Sequence, residues 1–211
     1  MAAGSHEDTG AMARFWQLVE ARGKPEADRR QIDQVLWDEF GQALAILFTD
    51  LAGFSQTVAD HGITHFLEVL LAKRQVLTPI VAAHGGEILE SAGDSLMIAF
   101  PAAATAARAA VAMHQACDRY NALRPRREHL RLCLGVGFGH VLRAAPTSVF
   151  GHEVNLASKL GEDLAREGET LLTPAAVAHI GELAGMRCEP VRAAIPHFRL
   201  VLDAGALSST R

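Results

Sequence analysis

Apolar residues in this chain fall into patterns that alternate between strand and helix. The segment ALAILFTD (43–50) is unbroken apolar sequence up to Thr49 and Asp50, as in a β-strand covered on both faces. From Gly62 to His84 the spacing turns helical. Phe66, Leu67, Leu70, Leu71 and Val76 lie on one side and Glu68, Lys73 and Arg74 on the other, which predicts a long amphipathic helix ended by Gly85-Gly86. Strands are expected at 87–90 and 96–100, an Ala-rich helix from 102 to about 121, and a strand at 130–138 that passes through Gly139 to a loop at 143–147. Val149-Phe150 is a short apolar segment ahead of a helix over 153–166. A strand at 169–173, a helix opened by Thr173-Pro174, and short strands near 187–191 and 197–202 complete the series.

The order β-α-β-β-α-β, then α-β, predicts an α+β fold, a ferredoxin-like sheet with helices on one face. Two further helices are expected ahead of it. One covers 12–22 and is ended by Gly23-Lys24-Pro25; the other carries Ile32, Val35, Leu36 and Phe40 at helical spacing. The expected organisation is a disordered start (1–10), an N-terminal helical segment (11–41), one catalytic-type domain (42–203) and a loose tail (204–211).

Composition narrows the function classes. Hydrophobic residues make up 49% and charged residues 21% of the 211 positions, the balance of a globular domain. The formal net charge of -4 leaves no overall electrostatic footprint for nucleic acid. No apolar run has the length of a membrane span, and MAAGSHEDTG lacks the regions of a secretory signal. Cys117, Cys133 and Cys188 are far apart and without CxxC spacing, so a reducing, cytoplasmic setting is expected. His61 and His65 are one helical turn apart, but no third ligand accompanies them and surface placement is the expectation.

The candidate chemistry begins with two carboxylates. Asp50 ends one buried strand, and Asp94 sits in the tight turn of GGEILESAGDSLMIAF (85–100) between two others. Taken singly, each has an ordinary explanation, Asp50 as a helix cap and Asp94 as a turn former. If the first strand lies beside that hairpin, both emerge at one end of the sheet. Hard oxygen ligands in a half-open site suit Mg2+ or Mn2+, and two such ions can serve a phosphoryl displacement. Leu51, Ala52, Gly53, Phe54 and Ser55 follow Asp50 into a helical stretch, where successive N–H groups form a candidate cradle for a triphosphate. No GxxxxGK[ST] is present, which excludes a Walker-type loop. In VNLASKL (154–160), Asn155 and Lys159 are four apart and share one helix face. They form either an electrophilic pair or an exposed polar stripe.

FTDLAGFS, GGEILESAGDSLMIAF, LGVGFGHVL and FGHEVNLASKL occur in this order and at fitting intervals. Together they resemble the class III nucleotidyl cyclase catalytic domain of adenylate and guanylate cyclases, over about residues 43–175. The resemblance implies a palm-type sheet and a head-to-tail homodimer with active sites at the interface. It implies that Asp50 and Asp94 hold two Mg2+ or Mn2+ ions over a nucleoside triphosphate. Asn155 and Lys159 of the partner subunit would position the ribose and stabilise the transition state. Cyclic nucleotide and pyrophosphate are the products it implies.

The chain departs from the family pattern in places. Lys159 stands where Arg is usual, and a flexible point charge replaces a bidentate fork. Glu90 and Ser148 fall on the two base-reading positions. Glu90 can accept hydrogen bonds from the N1–H and amino group of guanine, whereas Ser148 discriminates little, so GTP is favoured and ATP stays open. The family's late phosphate-contacting Lys has no clear counterpart in RCEPVRAAIPHFRL, where Arg192 is the nearest cation. Two readings therefore stand: an active cyclase, and a catalytically weak relative that binds nucleotide or signals by dimerising.

Overall fold

The structure, a computed structural model, describes the backbone of residues 4–203 and the side chains from Gly10 onward, Ser55 excepted. Two helices, α1 (Gly4–Arg22) and α2 (Arg29–Phe40), lead into β1 (Gly41–Leu51). Helices α3 (Phe54–His61) and α4 (Ile63–Ala83) follow, then the hairpin β2 (Glu87–Ala92) and β3 (Ser95–Phe100), and α5 (Ala103–Asn121). The second half holds β4 (Leu132–Ala145), β5 (Ser148–Phe150), α6 (His152–Ser158), β6 (Thr170–Leu172), α7 (Pro174–Ile180), β7 (Met186–Val191) and β8 (His197–Leu202).

All strands join one sheet in the order β2-β3-β1-β4-β6-β8-β7, with β5 paired to β4. The β4–β6 pairing is parallel; every other is antiparallel. This is the expected α+β architecture, and β1 does lie beside the β2–β3 hairpin.

Burial alternates along β1 and sorts the helices onto two faces. Ala45, Leu47 and Leu51 join the main core with Phe66, Val69 and Leu77 of α4, the alanines of α5, and Ala176 and Ile180 of α7. Ile46 points the other way, into a smaller core with Val141, Val154 and Ala157. Helix α6 thus covers the face that the sequence pattern left bare.

Glycines make that second layer possible. A Cβ on Gly135 would lie 2.1 Å from the Ala157 carbonyl oxygen, and one on Gly137 2.5 Å from that of Glu153. The alternate residues of LGVGFG are therefore the ones that let a helix settle on the strand. Glu153 fastens it, accepting hydrogen bonds from Phe138 N–H (3.2 Å) and Thr173 Oγ1 (2.5 Å).

Several boundaries differ from the sequence pattern. Helix α1 begins at Gly4, so most of the segment expected to be disordered is helical. Nothing in GSHEDTG stops a helix. The 204–211 tail lies outside the described residues. Strand β4 runs on to Ala145, so the expected loop at 143–147 shrinks to the turn into β5. The helix expected over 153–166 is α-helical only to Ser158 and continues as a π-helical stretch, Lys159–Leu164.

The N-terminal helices are packed against the sheet. Phe15 and Leu18 of α1 and Leu36 and Phe40 of α2 close over Ala144 near the end of β4. The Phe15 ring stacks on Phe150 of β5, with centroids 5.4 Å apart and planes 9° from parallel.

Candidate active site

Strand β1 and the β2–β3 turn bring Asp50 and Asp94 together. Gly93 adopts φ +55°, a left-handed conformation that glycine takes without strain, and so turns the hairpin tightly at Asp94. Burial and a hydrogen bond shared with Asp94 push the Asp50 carboxyl up to about 6. Two carboxylates in contact and partly out of water repel when both are ionised, and a cation between them relieves that cost. Among the described residues no cluster of three or more His, Cys, Asp and Glu forms. A metal here would take two carboxylates from the chain and the rest of its shell from water or phosphate oxygens. That donor set suits Mg2+ or Mn2+ better than a closed Ca2+ or Zn2+ site. The His61 and His65 rings meet edge to face with centroids 5.2 Å apart, and His65 lies 3.8 Å from the Glu68 carboxylate, but no cluster of three metal-binding side chains forms there among the described residues.

Lys73 is the residue that the sequence pattern misplaced. Expected on the polar side of α4, it is 2% exposed, and Leu67 and Leu71, expected on the apolar side, are 55% and 57% exposed. The buried series on α4 is Phe66, Val69, Lys73, Leu77 and Val81, a helical spacing that contains Lys73. Its Nζ donates a hydrogen bond to the main-chain carbonyl of Asp94. Burial pushes the ammonium down to about 8, against the pull of Asp94 and Asp50. A cavity of about 220 Å³ opens beside this contact, lined by Lys73, Arg74, Ser91, Gly93 and Asp94 among others.

The turn after Asp50 has the expected form. Leu51 ends β1, Ala52 and Gly53 make the turn, and Phe54 and Ser55 begin α3. Gly53 caps α3 at φ +79°, and its carbonyl receives Thr57 N–H at 2.9 Å. Ala52 N–H donates to the Arg131 carbonyl at 2.8 Å, extending the β1–β4 ladder past its end. The sequence pattern places Arg131 inside the strand expected at 130–138 and gives it no role; β4 begins one residue later, at Leu132.

Asn155 and Lys159 are exposed. Among the described residues neither makes a hydrogen bond or ion pair with Asp50 or Asp94, and Lys159 Nζ is paired with Asp163 at 3.1 Å. Lys159 also begins the π-helical stretch, an irregularity often found at functional sites.

Glu90 lines a cavity of about 170 Å³ with Phe48, Ala92, Ser95, Met97 and Glu162. Phe48, Ala92 and Met97 give it apolar walls, and Glu90 and Glu162 give it two carboxylates, a mixed lining that suits a small polar ligand. Ser148 lies elsewhere, opposite Ala145 at the start of β5. A larger cavity, about 540 Å³, lies between α7 and the β7–β8 pair and holds none of the candidate residues. Arg192 lies beyond the end of β7, exposed or nearly so, and contacts no candidate residue among the described hydrogen bonds and ion pairs.

Comparison with known proteins adds a family. The model described as "Adenylate and Guanylate cyclase catalytic domain" matches residues 38–190. A Rhizobium meliloti (strain 1021) protein provisionally named adenylate cyclase 3 is 33% identical over 126 residues, covering 59% of this chain and 21% of its own length. An adenylate cyclase of Streptomyces coelicolor is 31% identical over 117 residues, covering 56% of this chain and 29% of its own. The chain thus spans under a third of the length of these relatives.

Among solved structures, an adenylate/guanylate cyclase/hydrolase from Silicibacter pomeroyi superposes with a TM-score of 0.66 at 22% identity, covering 77% of this chain and 97% of that one. The adenylyl cyclase CyaB from P. aeruginosa gives 0.63 at 21%, covering 77% and 94%. At these identities the superpositions establish the fold. No described helix is long and apolar enough to cross a membrane.

Proposed function

The chain belongs to the adenylate and guanylate cyclase catalytic domain family, and from that premise we propose that it converts a nucleoside triphosphate to the 3′,5′-cyclic nucleotide and pyrophosphate, for second-messenger signalling. The observation that carries this reading is the approach of Asp50, near the end of β1, to Asp94, in the β2–β3 turn, two carboxylates held together at a cost that a cation removes. Asp50 and Asp94 would hold Mg2+ or Mn2+ with the phosphates. Divalent ions bound there supply charge stabilisation for the attacking and leaving oxygens of an in-line displacement.

The chain's own groups do the positioning. The N–H groups at the start of α3, beyond the Ala52 N–H that is bonded to the Arg131 carbonyl, would face the phosphates. Asn155 orients the ribose so that its 3′-oxygen meets the α-phosphorus, and the Lys159 ammonium meets charge that develops there. Both would come from a second copy, a reading supported by the absence, among the described hydrogen bonds and ion pairs, of any between them and the carboxylates of their own chain. An unpartnered apolar row supports such a dimer: Ile63, Leu67 and Leu71 recur every fourth residue of α4 and are all more than half exposed. Glu90 would read the base from the wall of its cavity and favour GTP over ATP.

A second reading has its own observation. Lys159 is already engaged by Asp163, which suits a domain that binds nucleotide or a partner without turnover. The test is incubation of the purified protein with each NTP and Mn2+, followed by separation of cyclic products. Cyclic nucleotide from any NTP supports the enzyme. None, under conditions where a control cyclase works, leaves the binding module.

A further inference from the structure

We infer that the cavity between α4 and the β2–β3 hairpin binds a small monocarboxylate, and that the bound anion strengthens divalent-cation binding at Asp50 and Asp94. Three elements meet there. Ser91 of β2 pairs with Leu96 of β3, so both side chains leave the hairpin on one face, and Leu96 joins the core that α4 covers. Lys73 and Arg74 reach the cavity from α4, and Asp94 lines it at the hairpin tip.

The lining sets the chemistry of the ligand. Lys73 is 2% exposed, and among the described residues its one hydrogen bond goes to the Asp94 carbonyl. An ammonium carries three N–H donors, so two are left inside the protein at a cost that ligand oxygens remove. Arg74 is an exposed member of the lining and enters no ion pair or hydrogen bond among the described residues. The Ser91 hydroxyl adds a further donor. Two cations against the single Asp94 carboxylate leave one net positive charge, which matches a monoanion. A phosphate dianion meets repulsion from Asp94 and from Asp50 beside it. Leu70, Leu71 and Leu96 supply an apolar wall for a short hydrocarbon tail. The volume, about 220 Å³, equals that of about seven water molecules. It falls short of the roughly 300–1,000 Å³ of pockets for drug-sized molecules.

The link to the metal site is electrostatic. The Lys73 ammonium interacts with both Asp94 and Asp50, so its charge opposes any cation held between them. A carboxylate on its remaining donors cancels that charge while the bond to the Asp94 carbonyl stays in place. A cation between the two aspartates is then held more tightly, and by reciprocity the cation favours the anion.

The test titrates the full chain with acetate, butyrate and orthophosphate by calorimetry, and none of these probes requires turnover. Butyrate is expected to bind about tenfold more tightly than acetate, the scale of two further buried methylenes, and more tightly than orthophosphate. Lys73→Met and Arg74→Gln are each expected to weaken butyrate at least about tenfold, the scale of one lost charge-assisted hydrogen bond. Arg74 is exposed, so its variant separates a lost ligand contact from a folding defect. The Mn2+ affinity of wild type, read by electron paramagnetic resonance, is expected to rise at least about fivefold in saturating butyrate. Lys73→Met removes that rise.

Absence of butyrate binding overturns the inference, as does equal binding by wild type and both variants. Tighter binding of orthophosphate than of butyrate, or a Mn2+ affinity that butyrate leaves unchanged, overturns it too. The cyclase reading stands or falls separately. Cyclic product from a protein that binds no butyrate rejects only this site. Butyrate binding with the expected variant losses, in a protein that makes no cyclic nucleotide, rejects only the enzyme.

Discussion

The buried ammonium of Lys73 donates to the carbonyl oxygen of Asp94, so a helix on one face of the sheet grips a hairpin tip that presents a carboxylate to Asp50. Lys73→Met fits the same apolar surroundings but removes the donor. A charge-assisted hydrogen bond contributes about 1.5–3 kcal/mol, and directed to ligand geometry this corresponds to about a tenfold to hundredfold loss of turnover. Exchanging a buried charge for an apolar side chain is often neutral for stability, so the thermal midpoint is expected to move little. Full turnover in Lys73→Met would reject the role of this contact.

Asp50 makes the metal-free protein sensitive to pH. Its folded pKa, about 6, lies above the ordinary value of 3.8, so the folded state binds the proton more tightly than the unfolded state. The associated stability is present below pH 4 and lost as pH rises through 6. With Asp50 only partly buried, solvent screening reduces the effect to about 1 kcal/mol. Thermal midpoints of wild type and Asp50→Asn, measured from pH 4.5 to 7.5 in chelator, should converge at the acid end and separate in favour of the amide variant above pH 6. Added Mn2+ should raise the wild-type midpoint more at pH 7.5 than at pH 5, because it requires the ionised pair.

Gly135→Ala places a methyl group 2.1 Å from the Ala157 carbonyl oxygen. Backbone cannot yield as a side-chain tip does, so α6 must lift from the sheet. Overpacking of this kind costs about 1–3 kcal/mol. Urea denaturation should show that loss, and turnover should fall further than stability because Asn155 and Lys159 ride on the displaced helix.

Lys159→Arg restores a fork at the charge-stabilising position, and Asp163→Asn frees the cation from its present partner. Each is expected to raise kcat by about threefold to tenfold with little change in KM, since the interaction develops in the transition state. A gain confined to KM would assign Lys159 to ground-state binding.

Glu90→Lys exchanges an acceptor for a donor on the wall of the 170 Å³ cavity. The GTP-to-ATP ratio of kcat/KM is expected to drop by at least about tenfold, the scale of one reversed hydrogen bond in a base pocket. An unchanged ratio removes Glu90 from base reading.

The sheet and the carboxylate pair were legible because their signals are local. An unbroken apolar run ending in Asp50, and Gly93-Asp94 between two strands, each name their own position. Lys73 was misplaced because its charge outweighed its spacing: it lies in register with Phe66, Val69 and Leu77, and the polar partner that makes it tolerable inside is a carbonyl from another element. The second helical layer was also written in the sequence, as glycine at every other residue of LGVGFG, but that row shows only that something approaches the strand. Arg131 gave no local signal. The bond from Ala52 N–H to its carbonyl follows from the β1–β4 register, which no single segment encodes. The same limit holds for Asn155 and Lys159, whose placement relative to the carboxylates no single segment encodes.

The stack of Phe15 on Phe150 has a mechanical consequence. Phe150 immediately precedes Gly151, the cap of the helix that bears Asn155. Phe15 and Trp16 of the first helix both touch the Phe150 ring, which is thus one residue from the helix that bears Asn155. Were Asn155 to hold a nucleotide, a shift of α1 carried through these rings and the hold on Asn155 would bias one another equally.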